Sequence, residues 1–269
     1  MNYIRYTLLT KMNKIIFTLL LLLSNCVFSQ YKIEYDYNIS VEFPGNTSSV
    51  TTKSFLITDG VNHSRYVKNR IFNGVLESSY RNSIKEIEEN ENSKSNYKKG
   101  DSIGYVIVKK IERDSIYMRL LDSKGDYAMI PRRLVSFDYK IVNEYKDILG
   151  YNCQKATLEY EERSYVVWFT PELSISDGPW ILQGLPGLIL QAKTTDGFHE
   201  FIASSIKKTK NFDELNFIFP YKYVTSLSMY QDDYIKSKER QFKYNKSQAL
   251  DSKITLKINN LDIPLTYFE

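Results

Sequence analysis

The chain offers few side chains of the kind that do chemistry. It has two histidines, His63 and His199, and two cysteines, Cys26 and Cys153. Cys153 with His199 is the pairing that could supply a thiol nucleophile and its general base. Cys153 stands between Asn152 and Gln154 in a strand-like run, where a lone cysteine usually packs as a small hydrophobe. His199 follows a hairpin signal, where an exposed imidazole is ordinary, so neither residue is assigned a catalytic role. A zinc site needs about four N or S ligands at suitable spacing, and no Cys-x-x-Cys, His-x-x-x-His or His-Glu-x-x-His is present. A nucleophile elbow and a phosphate-cradling glycine loop are absent as well. No cofactor is expected.

The remaining polar groups read as solvated ends. Glu161-Glu162 and Asp232-Asp233 are adjacent in sequence, so their carboxylates diverge. Arg132 and Arg133 point to opposite faces of a strand rather than converging on an anion. Trp168 and Trp180, with Leu182 and Leu188, are candidates for lining a lipid or glycan surface, although strands and cores also consume aromatics.

These residues sit in a chain that is addressed for export. Residues 15–24 form a short apolar run behind Lys11 and Lys14, too short for the ~20 helical residues that span a bilayer. Cleavage after Ser29 leaves residues 30–269 as one domain without a transmembrane segment, and translation from Met12 would still make a complete signal. The alternative is a lipoprotein signal, Leu23-Ser24-Asn25-Cys26, in which Asn25 fits poorly. The 36 basic and 32 acidic residues become 33 and 32 once Arg5, Lys11 and Lys14 are removed. A nearly neutral protein lacks the electrostatic footprint of a nucleic-acid binder. With Cys26 gone, no internal disulfide is available to the fold.

The elements follow from periodicity. Residues 31–39 alternate apolar and polar, and the Pro44-Gly45-Asn46-Thr47 turn follows. Residues 50–58 and 62–68 form a hairpin about Asp59-Gly60. Residues 77–100 are a solvated excursion rich in Glu, Lys, Asn and Ser. Strands resume at 104–111, 115–121, 127–130, 134–142, 151–160, 164–170, 188–194 and 198–205, the last two joined by Asp196-Gly197, a hairpin signal. Thr225-Ser226 caps a helix over 225–244 with Leu227, Met229, Tyr230, Tyr234, Ile235 and Phe242 at near-helical spacing. Residues 254–258 add an edge strand, and 261–269 are extended. The sum is a mainly β fold, a curved antiparallel sheet or half-barrel like that of lipoprotein carriers, with one C-terminal amphipathic helix.

One stretch organises the others. Gly178-Pro179-Trp180 and Gly184-Leu185-Pro186-Gly187-Leu188-Ile189 lie in an uncharged run that must be buried and yet turn sharply. Leu185 to Leu188 reads as a type II turn in which Gly187 takes positive φ. Residues 184–189 resemble the signature of the GLPGLI family of exported Bacteroidota proteins. The resemblance takes in residues 148–156 around Cys153, Val167-Trp168 through Pro171, and Gly178-Pro179, and so covers about 145–205. It implies an envelope address, periplasmic, outer-membrane associated or secreted, and carries no catalytic residue. Asp101-Ser102-Ile103 and Asp114-Ser115-Ile116 resemble the short O-glycosylation signal of such proteins. Three functions remain open: a binding module for a hydrophobic ligand such as a lipid or acyl chain, a protein-interaction accessory of an outer-membrane transport or secretion complex, and a Cys153–His199 hydrolase.

Overall fold

A computed structural model describes residues 30–43, 46–68, 71–72, 75–76, 103–122, 124–209 and 219–248. The signal, Pro44-Gly45, the 77–100 excursion, Asp101-Ser102 and everything beyond Gln248 lie outside the described residues.

The strands are β1 (Gln30–Phe43), β2 (Asn46–Thr58), β3 (His63–Lys68), β4 (Ile71–Phe72), β5 (Val75–Leu76), β6 (Tyr105–Lys110), β7 (Ser115–Leu121), β8 (Tyr127–Arg133), β9 (Lys140–Ile148), β10 (Tyr151–Tyr160), β11 (Arg163–Thr170), β12 (Leu188–Thr194), β13 (His199–Thr209) and β14 (Tyr223–Val224), and helix α1 is Leu227–Gln248. Twelve of the strands make one sheet in the order β14-β8-β7-β6-β3-β2-β1-β13-β12-β11-β10-β9. The fold is mainly β, as expected, but it is not one meander. Two meanders, β1 to β8 and β9 to β13, are stitched by the antiparallel pairing of β1 with β13, Tyr37 facing Phe201. The β14–β8 pairing is parallel. Residues 134–139, expected as strand, make no ladder. They are only half-buried to exposed, and instead lend Val135 O to the Gln183 side chain.

Local chemistry explains the hairpins. Asp59 Oδ1 accepts from the backbone N–H of Val61, Asn62 and His63, so one carboxylate closes the β2–β3 turn, and these bonds hold it below the usual carboxylate range against the opposing cost of burial. The β10–β11 turn has Glu161 at φ 45 and Glu162 at φ 67, the left-handed pair that matches strand twist in a two-residue hairpin. Ser226 Oγ accepts from Met229 N–H at 3.2 Å and caps α1, as the sequence predicts. Tyr230 and Tyr234 are buried, and Tyr230 donates to Leu121 O at 2.7 Å. Met229, expected on the packed face, is 66% exposed. Its neighbour Tyr230 takes the inward position, and adjacent helical residues cannot share a face.

The expected type II turn at Leu185 is corrected. Gly187 is not among the positive-φ residues. Its N–H donates to Leu185 O at 2.8 Å, a three-residue turn centred on Pro186, whose fixed φ suits it. Glycine is required for space: a Cβ at 187 would lie 2.2 Å from Thr170 O. Gly184, at φ 102, is the residue of the signature that needs left-handed freedom.

Gly187→Ala is expected to destabilise the fold by about 3 kcal/mol, because the obstructing atom is backbone and cannot turn aside. Gly150→Ala, at φ 80 with nothing within 4 Å of a Cβ, is expected to cost about 1 kcal/mol, the conformational term alone. Urea denaturation of both variants separates the two causes, and equal costs would refute the steric account.

Candidate functional site

The segment between β11 and β12 crosses the inside of the sheet and is held there by one residue of β6. Lys109 Nζ lies 2.5 Å from Asp177 Oδ1, 3.0 Å from Gly178 O and 3.1 Å from Leu182 O. The ammonium thus spends its three protons on three oxygens, with the Lys109 and Asp177 side chains 0% and 2% exposed. Asp177 O in turn accepts from Ile189 N–H at 2.9 Å. Asp177 therefore bridges β12 and β6, which are five steps apart in the sheet. A flat sheet would separate them by about 24 Å, farther than one aspartate and one lysine side chain reach. The sheet is curled, and this segment lies across its concave face.

The segment packs by shape. Trp180, 6% exposed, takes φ 56 in a turn closed by Leu182 N–H to Pro179 O. It stacks on Tyr165 at 6.5 Å and meets the Tyr160 edge at 6.0 Å. A Cβ on Gly178 would stand 2.8 Å from Ile189 Cβ. Leu182, Leu185, Leu188 and Ile189 are at most 2% exposed. Trp180, Leu182 and Leu188 therefore pack in the core of the concave face. Trp168 lies apart from them on the convex face, with Lys146 Nζ 4.3 Å above its ring. The four candidate ligand residues do not form one surface.

The hydrolase pair is not assembled. Cys153 is on β10 and His199 on β13, three steps away, or about 14 Å. Burial pushes the Cys153 thiol up to about 11 although Lys146 pulls the other way, so it is protonated at neutral pH. His199 is not the exposed imidazole expected after the turn: it is 2% exposed, with Nδ1 sharing a 2.9 Å hydrogen bond with the Tyr37 hydroxyl. Burial, then the positive charges of Arg163 and Lys68, drives it down to about 3, against the pull of Asp196. Among the described residues no group of three or more His, Cys, Asp or Glu side chains could hold a metal ion.

Sequence reasoning missed a polar corner of the concave face. Thr52 and Ser54 on β2, and Tyr66 and Lys68 on β3, point inward together, Ser54 opposite Lys68 and Leu56 opposite Tyr66 in the register. All four are at most 3% exposed. The inward alternation of β2 and β3 was legible, but not the fact that polar members of both strands meet.

The architecture defines a class: a curled, mostly antiparallel sheet around a tethered inner segment, with one α-helix among the described residues, at its β8 end. A family model described as N-glycanase peptide, N-terminal domain, matches residues 82–232, more than half of the chain. The protein belongs to that family. Among solved structures, PNGF-II is similar in two crystal forms, with TM-scores of 0.52 and 0.51 and identities of 20% and 21%, covering 78% of this chain. The chain spans about a third of the length of those structures, 34% and 33%. A LolA-superfamily protein from Nitrosomonas europaea is similar at a TM-score of 0.31 and 9% identity, over 71% of this chain and 91% of its own. No curated protein matches the chain. No helix among the described residues is long and apolar enough to cross a membrane.

Two outcomes follow from this geometry. Lys109→Met leaves the Asp177 carboxylate buried and unpaired, and should cost about 3–5 kcal/mol, whereas Lys109→Met with Asp177→Leu should recover most of that loss. A denaturation double-mutant cycle reads the difference, and additive losses would show that the pair does not act as a unit. For His199 the folded value, about 3, is below the ordinary 6.5. The unfolded chain therefore binds a proton that the folded chain does not, and stability falls with pH between 6.5 and 3. The slope should approach about 1.4 kcal/mol per unit below pH 6. Between pH 6 and 5, above the range of the depressed Asp59 and Asp196, His199→Gln should flatten the curve, and an unchanged slope would disprove the assignment.

Proposed function

We propose that this protein is an exported, non-catalytic binding module of the cell envelope whose curled sheet encloses a hydrophobic ligand such as a lipid or acyl chain. Membership of the GLPGLI group of Bacteroidota envelope proteins, on residues 184–189, is part of the same reading. The observation that carries it is the apolar row Ile33, Leu56, Ile107, Met118 and Ile130 on the concave face, beneath an inner segment tethered across it by Lys109 and Asp177. A concave apolar wall with few convergent polar groups is the usual form of a small-molecule site. The separation of Cys153 from His199 supports a role without catalysis. Relationship to the N-terminal domain of an N-glycanase fits a module that binds rather than cleaves, and leaves a glycoprotein setting open to it.

A second reading, a protein-interaction accessory of an outer-membrane transport or secretion complex, is favoured by one feature. The terminal strand β9 and its turn expose Ile141 at 50%, Tyr145 at 55% and Leu149 at 45%. An edge strand with exposed apolar side chains is a template for pairing.

Native mass spectrometry with lipid extraction, on protein purified from its own envelope, separates the two. A stoichiometric acyl-chain species is the expected result. A clean apo mass, together with envelope crosslinks that vanish in Tyr145→Ser, would replace it with the interaction reading.

A further inference from the structure

We infer that one end of the sheet is a membrane-docking rim, on which the start of β1 and the end of β13, flanked by the β2–β3 and β9–β10 turns, rest on an anionic lipid surface. The inference takes only the envelope address from the reading above and does not depend on what the concave face holds.

The argument begins with lysines. Lys207 and Lys208 stand near the end of β13, both exposed, and neither meets a carboxylate among the described residues. In the register Lys207 faces Lys32 and Lys208 faces Tyr31. Like charges directly opposed across two strands cost stability, so the Lys32–Lys207 juxtaposition is not explained by the sheet itself. Successive strand residues point to opposite sides, which puts these charges on both faces of the sheet. A partner lying against either face would meet one set and leave the other in water. A surface laid across the strand ends meets both.

The carboxylates of the same end are turned to other partners. Asp59 closes its own turn and faces His63, Glu112 lies beside Arg113, and Asp114 pairs with Arg133. Asp147 accepts from Gly150 N–H and Glu172 from Asn152 N–H. Aromatic rings accompany the lysines instead: Lys208 Nζ lies 5.8 Å from the centre of the Tyr31 ring and Lys32 Nζ 5.6 Å from that of Phe55. A lysine stem along an aromatic ring with its ammonium reaching outward suits the boundary between acyl chains and headgroups.

The tips of this end are apolar. The strand pairings place the β2–β3 turn and the β9–β10 turn at the same end as Tyr31 and Lys208. Val61 projects from the first turn at 51% exposure, and Leu149 projects from the second. Exposed apolar tips on either side of a basic centre supply the two contributions that bind a protein to a charged bilayer surface. The chain also enters here. Residues 25–29 alone separate β1 from the apolar run 15–24, so on the exported reading the membrane that the chain crosses lies at this end when β1 begins.

The test is flotation of the purified protein with vesicles of phosphatidylcholine alone and of phosphatidylcholine with an equal amount of phosphatidylglycerol. Binding to the anionic vesicles is expected, with release at high salt. Lys207→Gln/Lys208→Gln should weaken it about thirty-fold, at roughly a factor of five per lysine, with an unchanged thermal midpoint. Val61→Ser/Leu149→Asn should weaken binding too while keeping the preference for the anionic vesicles; asparagine accepts the left-handed backbone of position 149, at φ 56. Equal binding to both vesicles, no binding to either, or binding that survives both double substitutions would overturn the inference. Each of those results leaves the hydrophobic-ligand reading standing, since that is decided by the lipid that co-purifies.

Discussion

The buried ion pair of Lys109 and Asp177 is the constraint on which the rest of the structure depends. Charges withdrawn from water are tolerated only when the geometry is good and the remaining protons are satisfied. Here Gly178 O and Leu182 O complete the ammonium's shell. The arrangement leaves the inner segment little freedom, because both carbonyls and the carboxylate must converge on one point. The glycines follow from it. Gly178 must let Ile189 approach, Gly187 must clear Thr170 O, and Gly184 must adopt a backbone that other residues resist. The segment that looks like a sequence signature is, physically, the consequence of drawing an apolar loop across a sheet and anchoring it to a lysine on the far side.

The sheet in turn depends on contacts remote in sequence. β1 joins β13 through the pairing of Tyr37 with Phe201, which brings the two ends of the described β region together. The Lys109–Asp177 contact joins the two meanders across the same sheet, and loop closure over such a distance opposes early formation of either. Trp180 illustrates what the completed interior must supply. Its left-handed φ is strained for a tryptophan, and stacking on Tyr165 with an edge contact to Tyr160 opposes that strain.

The groups that might have been reactive are instead employed in packing. Cys153 is a buried thiol held protonated by its surroundings, and His199 is a neutral imidazole bonded to Tyr37 between two positive charges. What remains for function is the form of the concave face, apolar along most of β1 to β8 and polar in one corner of β2 and β3.

Much of this was legible in the chain because it is local. Period-two alternation marks β1, β3 and β11, Asp59-Gly60 and Asp196-Gly197 mark their turns, and Ser226 marks the start of α1, since each signal acts within a few residues. The same rules fail at residues 134–139, which have strand-like composition but meet no partner strand, and at Gly187, where space rather than φ demands glycine. Whether His199 lies in water or in the core depends on Tyr37, 162 residues away, and no local pattern contains that distance. The sequence by itself determined the strands, most of the turns and the buried character of residues 178–190. Only the tertiary structure decided the strand order, the curl of the sheet and which polar side chains meet, because those are set by pairings between residues that the chain holds far apart.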